Sequence, residues 1–355
     1  PTVERKLVFD ERLDRQLRIK GWDQAALDEA KLGVVGDDDL LASLYLVSAA
    51  ALGISNIVVI APLLDENLSQ IAKAINPRLN LTHLKGFYTH PLVDDIFNGC
   101  KVIVDLCHYG LANKLLLEKG NRENIPIIRG FCYEENEHQG FKIFTYLKGR
   151  EWRELEQMIS ANNLPKGHFD DGVFDIIVAG IVLEETKSIL MNGRVSQKII
   201  SYERQQLKVR GNDKRILVTG SGALGGFVGL GLAYAGFQQS TFMDPDVAET
   251  TNLNRQVLLY DAVGESKAET LAGRLSHLFK INAEAQIAYF KRDTDTSDFD
   301  VVFDCVDNFE TRIVLSEKCK EQNKIMISGG TNVDAGQVVI YNPGANEKTP
   351  AELLG

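Results

Sequence analysis

One plan of strand, turn, apolar helix, glycine and strand occurs twice in this chain, and that repeat restricts the fold more than any single motif. Residues 31–62, KLGVVGDDDLLASLYLVSAAALGISNIVVIAP, carry the first copy, and residues 215–245, RILVTGSGALGGFVGLGLAYAGFQQSTFMDP, the second. The parallel continues. NLSQIAKAINPRLNLTHLKG resembles NLNRQ…LFKINAEAQIAYFKR, CKVIVDLC resembles DVVFDCVDN, and ENIPIIRGF…QGFKIFTY resembles NKIMISGG…GQVVIYN. The period is far longer than a solenoid unit. Strands alternating with helices imply α/β halves, each a mostly parallel, helix-covered sheet. The polar stretch from Gln205 to Lys214 is the expected join, giving domains at 1–205 and 206–355.

The copies are unequal. The first continues into an apolar-periodic helix, DIIVAGIVLEETKSILMNG, and a strand, SQKIISYERQQ; the second reaches Gly355 before any equivalent, as a truncated chain would. A net charge of −10 argues against a nucleic-acid partner, which needs a basic face. The uncharged runs Leu40–Leu64 and Ile216–Met243 are long enough to cross a bilayer. Ser55-Asn56 and Gln238-Gln239 interrupt them, so a buried helix running into a buried strand is expected, with no membrane partner. The five cysteines form no C-x-x-C pair, the six histidines show no metal spacing, and the charged start carries no signal peptide. These features predict a cytoplasmic location. His168–Asp171, HFDD, reads as a polar loop.

Gly220, Gly222 and Gly225 spell G-x-G-x-x-G between the strand Arg215–Thr219 and a helix starting near Leu224. Such a turn offers backbone N–H groups and a helix N-terminus to phosphate. Asp244, at the end of the next strand, suits a ribose hydroxyl of NAD or of ATP. By themselves these residues fit an NAD-dependent oxidoreductase. The next stretch does not: DPDVAETTNLNRQ (Asp244 to Gln256), VGESK ending at Lys267, and DCVDN (Asp304 to Asn308). An Arg-plus-Lys pair beside a glycine turn neutralises a triphosphate and its leaving pyrophosphate. Asp307 is placed to hold magnesium through hard oxygen ligands.

At these residues the chain resembles the ubiquitin-activating enzyme superfamily, whose bacterial members include ThiF and MoeB. The resemblance covers most of Arg215 to Tyr341 and, more faintly, Arg12 to Gln205. It implies two Rossmann-like doubly wound sheets forming an intramolecular pseudo-dimer. It also implies that ATP and Mg2+ are used to adenylate the C-terminal carboxylate of a ubiquitin-like or sulfur-carrier protein, or of a peptide. Asp244 would bind ribose. Asn252, Arg255 and Gln256 would line the triphosphate, Lys267 would touch phosphate, Asp307 would hold Mg2+, and Asn308 would lie at the nucleotide. Family members work as dimers in which an arginine of one partner enters the other's site. The pattern R-x-x-R-Q stands at Arg12 to Gln16, which makes Arg15 that donor.

In the first copy the glycine turn has become Asp37-Asp38-Asp39, NLSQ (Asn67 to Gln70) lacks the arginine, and DLCHY lacks the second aspartate. Two like charges 4 Å apart repel by about 4 kcal/mol even at an effective dielectric of 20, so three carboxylates make a poor triphosphate seat. A degenerate half kept for packing and for Arg15 is expected. Two departures from the family pattern stand out. No zinc-binding cysteine pairs follow the last strand, and Cys305 and Cys319 look like bland thiols rather than thioester nucleophiles. A non-catalytic scaffold subunit, needing a further subunit for missing elements, is the alternative.

Overall fold

β-Branched runs alternate with apolar stretches, and they become alternating strands and helices. A computed structural model of the protein describes residues 10–38, 40–149, 155–156, 158–161, 172–206, 213–332, 335–345 and 347–354. The first half contains α1 (Asp14–Leu17), α2 (Gln24–Asp28), β1 (Lys31–Gly36), α3 (Leu40–Leu52), β2 (Asn56–Ala61), α4 (Glu66–Ile75) and β3 (Asn80–Lys85). It continues through β4 (Val102–Leu106), α5 (Gly110–Glu123), β5 (Ile127–Glu135), β6 (His138–Tyr146), α6 (Val173–Leu190) and β7 (Ile200–Gln205). The second half contains β8 (Arg215–Thr219), α7 (Ala223–Tyr234), β9 (Gln239–Met243), α8 (Lys267–Phe279), β10 (Asn282–Gln286) and β11 (Val301–Asp304). α9 (Phe309–Glu321), β12 (Ile325–Thr331), β13 (Gly336–Tyr341) and α10 (Pro350–Leu354) follow.

The strands form two sheets, ordered β3-β2-β1-β4-β5-β6-β7 and β10-β9-β8-β11-β12-β13. Neighbours run parallel except at β5–β6, β6–β7 and β12–β13. These are two Rossmann-like α/β sheets, as the repeat implied. In each, the strand order reverses beside the first strand, and ligands of such sheets sit beyond the C-terminal strand ends at that point.

Register equates the halves residue by residue. Val35 pairs with Asp105 as Thr219 pairs with Asp304, and Lys31 pairs with Asn56 as Arg215 pairs with Gln239. Gly36 therefore stands where Gly220 does, Ala61 where Asp244 does, and His108 where Asp307 does. One expected match is out of register. NLSQ lies inside α4, the counterpart of α8, because each of these helices leads into the strand that extends the sheet. NLNRQ lies instead in the connection 244–266, opposite which the first half has only residues 62–65. The first half lacks the whole segment, not one arginine.

That extra segment joins the halves. Its 3-10 turn, Val257–Leu259, packs on α3 and α4, and Asn254 Nδ2 donates to Gln16 Oε1 at 3.0 Å. α3 is apolar on every side, so it is stable only if every side is covered. β1, α4, α6 and this turn provide the cover, leaving Leu41, Tyr45, Leu46 and Ala49 fully buried. Among the described residues, no helix is long and apolar enough to cross a membrane.

Candidate active site

Gly220 turns the chain out of β8 with φ +89°, a conformation that side chains rarely adopt. At Gly225 a Cβ would lie 1.8 Å from the Gly220 carbonyl oxygen, so α7 can start this close to the turn only without a side chain there. Asp244 braces the same turn: Ser221 N–H donates to Oδ2 at 2.6 Å and Asp246 N–H to Oδ1 at 2.9 Å. Burial raises the Asp244 pKa, while those N–H groups and Lys267 pull it back. Ser221 Oγ and Gln256 Oε1 are buried beside the turn with no hydrogen-bond partner among the described residues. Buried polar atoms are rarely left so, and a polyanion with its waters offers them partners.

The turn opens into a cavity of about 840 Å³, within the usual range for a cofactor-sized ligand. It is lined by Gly220, Gly222, Asp244, Arg255, Gln256, Lys267, Asp307 and Asn308, so most of the residues expected at a nucleotide converge here. Arg255 Nη1 donates to Thr251 O at 3.0 Å and to Asn254 Oδ1 at 2.8 Å. Desolvation, and then the neighbouring guanidinium of Arg15, lower its pKa. The bond between Gln16 and Asn254 brings Arg15, from the first half, near Arg255, although Arg15 is not among the residues that line the cavity. Among the described residues neither guanidinium is paired with a carboxylate. Two like charges near one another with no carboxylate partner among the described residues suit a bound anion.

Arg15 is exposed, whereas Arg12 and Gln16, the other residues that R-x-x-R-Q names, are tied into the fold. Arg12 Nη1 donates to Ala50 O at 3.0 Å, and Gln16 Nε2 to Leu52 O at 2.9 Å. Both satisfy carbonyls at the C-terminal end of α3, which have no partner within the helix.

Two of the expected ligands also brace the fold. Asn252 is buried, its Oδ1 accepts from Glu249 N–H at 3.0 Å, and it does not line the cavity. Asn308 lines the cavity, but its Oδ1 caps α9 by accepting from Thr311 N–H at 2.8 Å. Asp307 is exposed and, among the described residues, engaged in no ion pair, so it fits a Mg2+ that is otherwise held by phosphate and water. Burial pushes the Cys305 thiol well up and that of Cys319 to about 12, which leaves neither as a thiolate nucleophile. Two contributors escaped the sequence reading. Arg312 lines the cavity while its Nε meets Asp304 Oδ2 at 3.0 Å, and Asp246 Oδ2 lies 3.0 Å from Lys267 Nζ.

At the equivalent place in the first half, the described residues fill the space in front of the turn. Asp37 and Asp38 are absorbed into the fold. Asp37 is buried and accepts from His108 N–H at 2.6 Å and Nδ1 at 2.8 Å, while Asp38 accepts from Leu41 N–H at 2.9 Å and caps α3. Asp39 and the loop His168–Asp171 lie outside the described residues. Asp37, Asp38 and His108 are also the one cluster with metal-ligand spacing among the described residues, within 4.8 Å. Over them lies a segment of the chain itself. Leu155 and Met158 are buried in one apolar cluster with Val35, Ile60 and Cys107, the counterparts of Thr219, Met243 and Val306, which line the second half's cavity. Met158 O accepts from Arg129 Nε, and Ser160 bonds His108 O at 2.6 Å and Asn113 Oδ1 at 3.0 Å. Where the second half has a cavity, the first is plugged.

Fold and site define the class: a doubly wound α/β protein with a phosphate-type glycine turn at its switch point. Residues 195–351, somewhat under half of the chain, match the ThiF family. "Adenylyltransferase and sulfurtransferase MOCS3" of Drosophila sechellia is 32% identical over 182 residues, covering 47% of this chain and 40% of that protein. The MOCS3 protein of Mus musculus is 34% identical over 161 residues, covering 41% and 34%. The matched part thus spans well under half the length of these relatives. A crystal structure of E. coli MccB with AMPCPP and MccA is 25% identical with a TM-score of 0.34, covering 38% of this chain and 42% of that one. That likeness is too limited to carry any reading of this chain.

Proposed function

We propose that the second half adenylates the C-terminal carboxylate of a ubiquitin-like or sulfur-carrier protein, or of a peptide, with ATP. One observation carries this reading: Arg255 and Lys267 line the same cavity as the glycine turn, and the bond of Asn254 to Gln16 brings Arg15 near Arg255, with neither arginine paired to a carboxylate among the described residues. An NAD site calls for no such pair, whereas a triphosphate that loses pyrophosphate does. The ThiF-family match and the MOCS3 relatives support the same class of chemistry.

In this mechanism Asp244 orients the ribose, and the amides of the glycine turn hold the phosphates. A carboxylate oxygen of the carrier attacks the α-phosphorus; the bond from that phosphorus to the α–β bridging oxygen breaks, and pyrophosphate leaves with the electron pair. Arg255, Lys267 and Arg15 offset the charge that develops on the departing oxygens. Mg2+, when bound at Asp307, would add further charge neutralisation on the phosphates. The first half, residues 1–205, serves as a scaffold that presents Arg15 to the catalytic half, residues 206–355.

Exchange of labelled pyrophosphate into ATP tests the reading. Exchange dependent on a carrier ending in glycine is expected, with AMP as the nucleotide product. Release of ADP, or binding of NAD in preference to ATP, would overturn it. Calorimetric titration should also count one ATP per chain. Asp38→Gly should not raise that count, because Ala61 offers no ribose carboxylate and Arg129 with Met158 still fills the site. A stoichiometry near two would contradict the plugged first half.

A further inference from the structure

Asp244 and Asp246 divide the work of the D-x-D sequence. Both oxygens of Asp244 are taken by backbone N–H groups, whereas Asp246 Oδ2 is 3.0 Å from Lys267 Nζ. The Lys267 side chain is only 11% exposed and that of Asp246 is 58% exposed, so the lysine is the fixed partner and the aspartate the solvated one. Geometry holds them together: Lys267 N–H donates to Asp246 O at 3.0 Å, and Val247 bridges to Ser266. Lys267 is also the first residue of α8, where the positive end of the helix dipole disfavours a cation. An ammonium there needs a negative partner. In the free protein that partner is Asp246.

We propose that Asp246 is a positioning residue that holds Lys267 in the empty site and reclaims it from the β- and γ-phosphates as pyrophosphate leaves. This rests on the adenylation reading and assigns Asp246 to the release step of that site. A triphosphate must compete with Asp246 for the ammonium, and its charge also meets the Asp246 carboxylate across the cavity. Both effects weaken the binding of ATP and of free pyrophosphate. AMP, which lacks the β- and γ-phosphates, does not experience them.

The test is calorimetric titration of the full chain and its Asp246→Asn variant with MgATP, magnesium pyrophosphate and AMP. The variant is expected to bind ATP and pyrophosphate about fivefold more tightly, ~1 kcal/mol, with AMP unchanged. Its turnover is expected to fall where pyrophosphate release limits, and Asp246→Glu is expected to restore both. Unchanged or weaker pyrophosphate binding in Asp246→Asn would overturn the proposal, as would equal changes for all three ligands, the mark of a merely structural role. If the wild-type chain binds ATP but adenylates no carrier, the adenylation reading fails, while the pyrophosphate comparison still decides the latch. If it binds neither ATP nor pyrophosphate, both fail.

Discussion

Arg255→Ala is expected to lower carrier-dependent AMP formation by about a thousandfold, the scale on which removing one transition-state charge donor acts. The melting temperature should barely move. Arg255 is exposed and, among the described residues, bonds only Thr251 O and Asn254 Oδ1, so its loss strands no buried charge there. Arg15→Ala should follow the same pattern from the other half of the chain. Arg12→Ala is the contrasting control. Arg12 is buried against the carbonyls of Ala50 and Ala51, and removing it should cost stability first. Mixing Arg15→Ala chains with Arg255→Ala chains should restore nothing, since each chain completes its own site through the contact of Asn254 with Gln16. Recovery of activity on mixing would show that Arg15 is exchanged between chains.

What was legible in the sequence was whatever local chemistry enforces. The two sheets follow from strand–helix alternation, and the glycine turn from backbone demands that only Gly220 and Gly225 meet. Asp244 was legible because strand ends at a switch point face the ligand. The errors arose where partners are distant in sequence. The three aspartates read as an open negative seat because nothing nearby shows that His108 folds back onto Asp37. NLSQ was set against NLNRQ because letters align where structure does not, a deletion of a loop leaving no mark of its own. The second role of Asn308 was legible locally, since an asparagine three residues before Thr311 at a helix start is a capping signal. The plug of Met158 and Ser160 carries no motif at all.

A swap between the halves gives the second large effect. Asp105 and Asp304 are equivalent, fully buried, and each keeps an arginine, but from different elements. Asp304 takes Arg312 from α9 and Ser328 from β12; Asp105 takes Arg129 from β5 and Asn113 from α5. Register makes Ser328 the counterpart of Arg129, and the common offset along the helix makes Arg312 that of Asn113. Arg129→Ser alone should cost about 3–5 kcal/mol, because it leaves the Asp105 charge buried without its cation. Adding Asn113→Arg should recover more than half of that, since the second half already holds its aspartate this way. Full recovery is not expected: Arg129 and Asn113 also anchor Met158 O and Ser160 N–H, and those bonds are lost in the double variant. Urea unfolding of the two single variants and the double closes the cycle, and the coupling should be strongly favourable. A double variant no more stable than Arg129→Ser would mean that the two arginines are not interchangeable partners, and that the buried aspartate is held by the surrounding backbone instead.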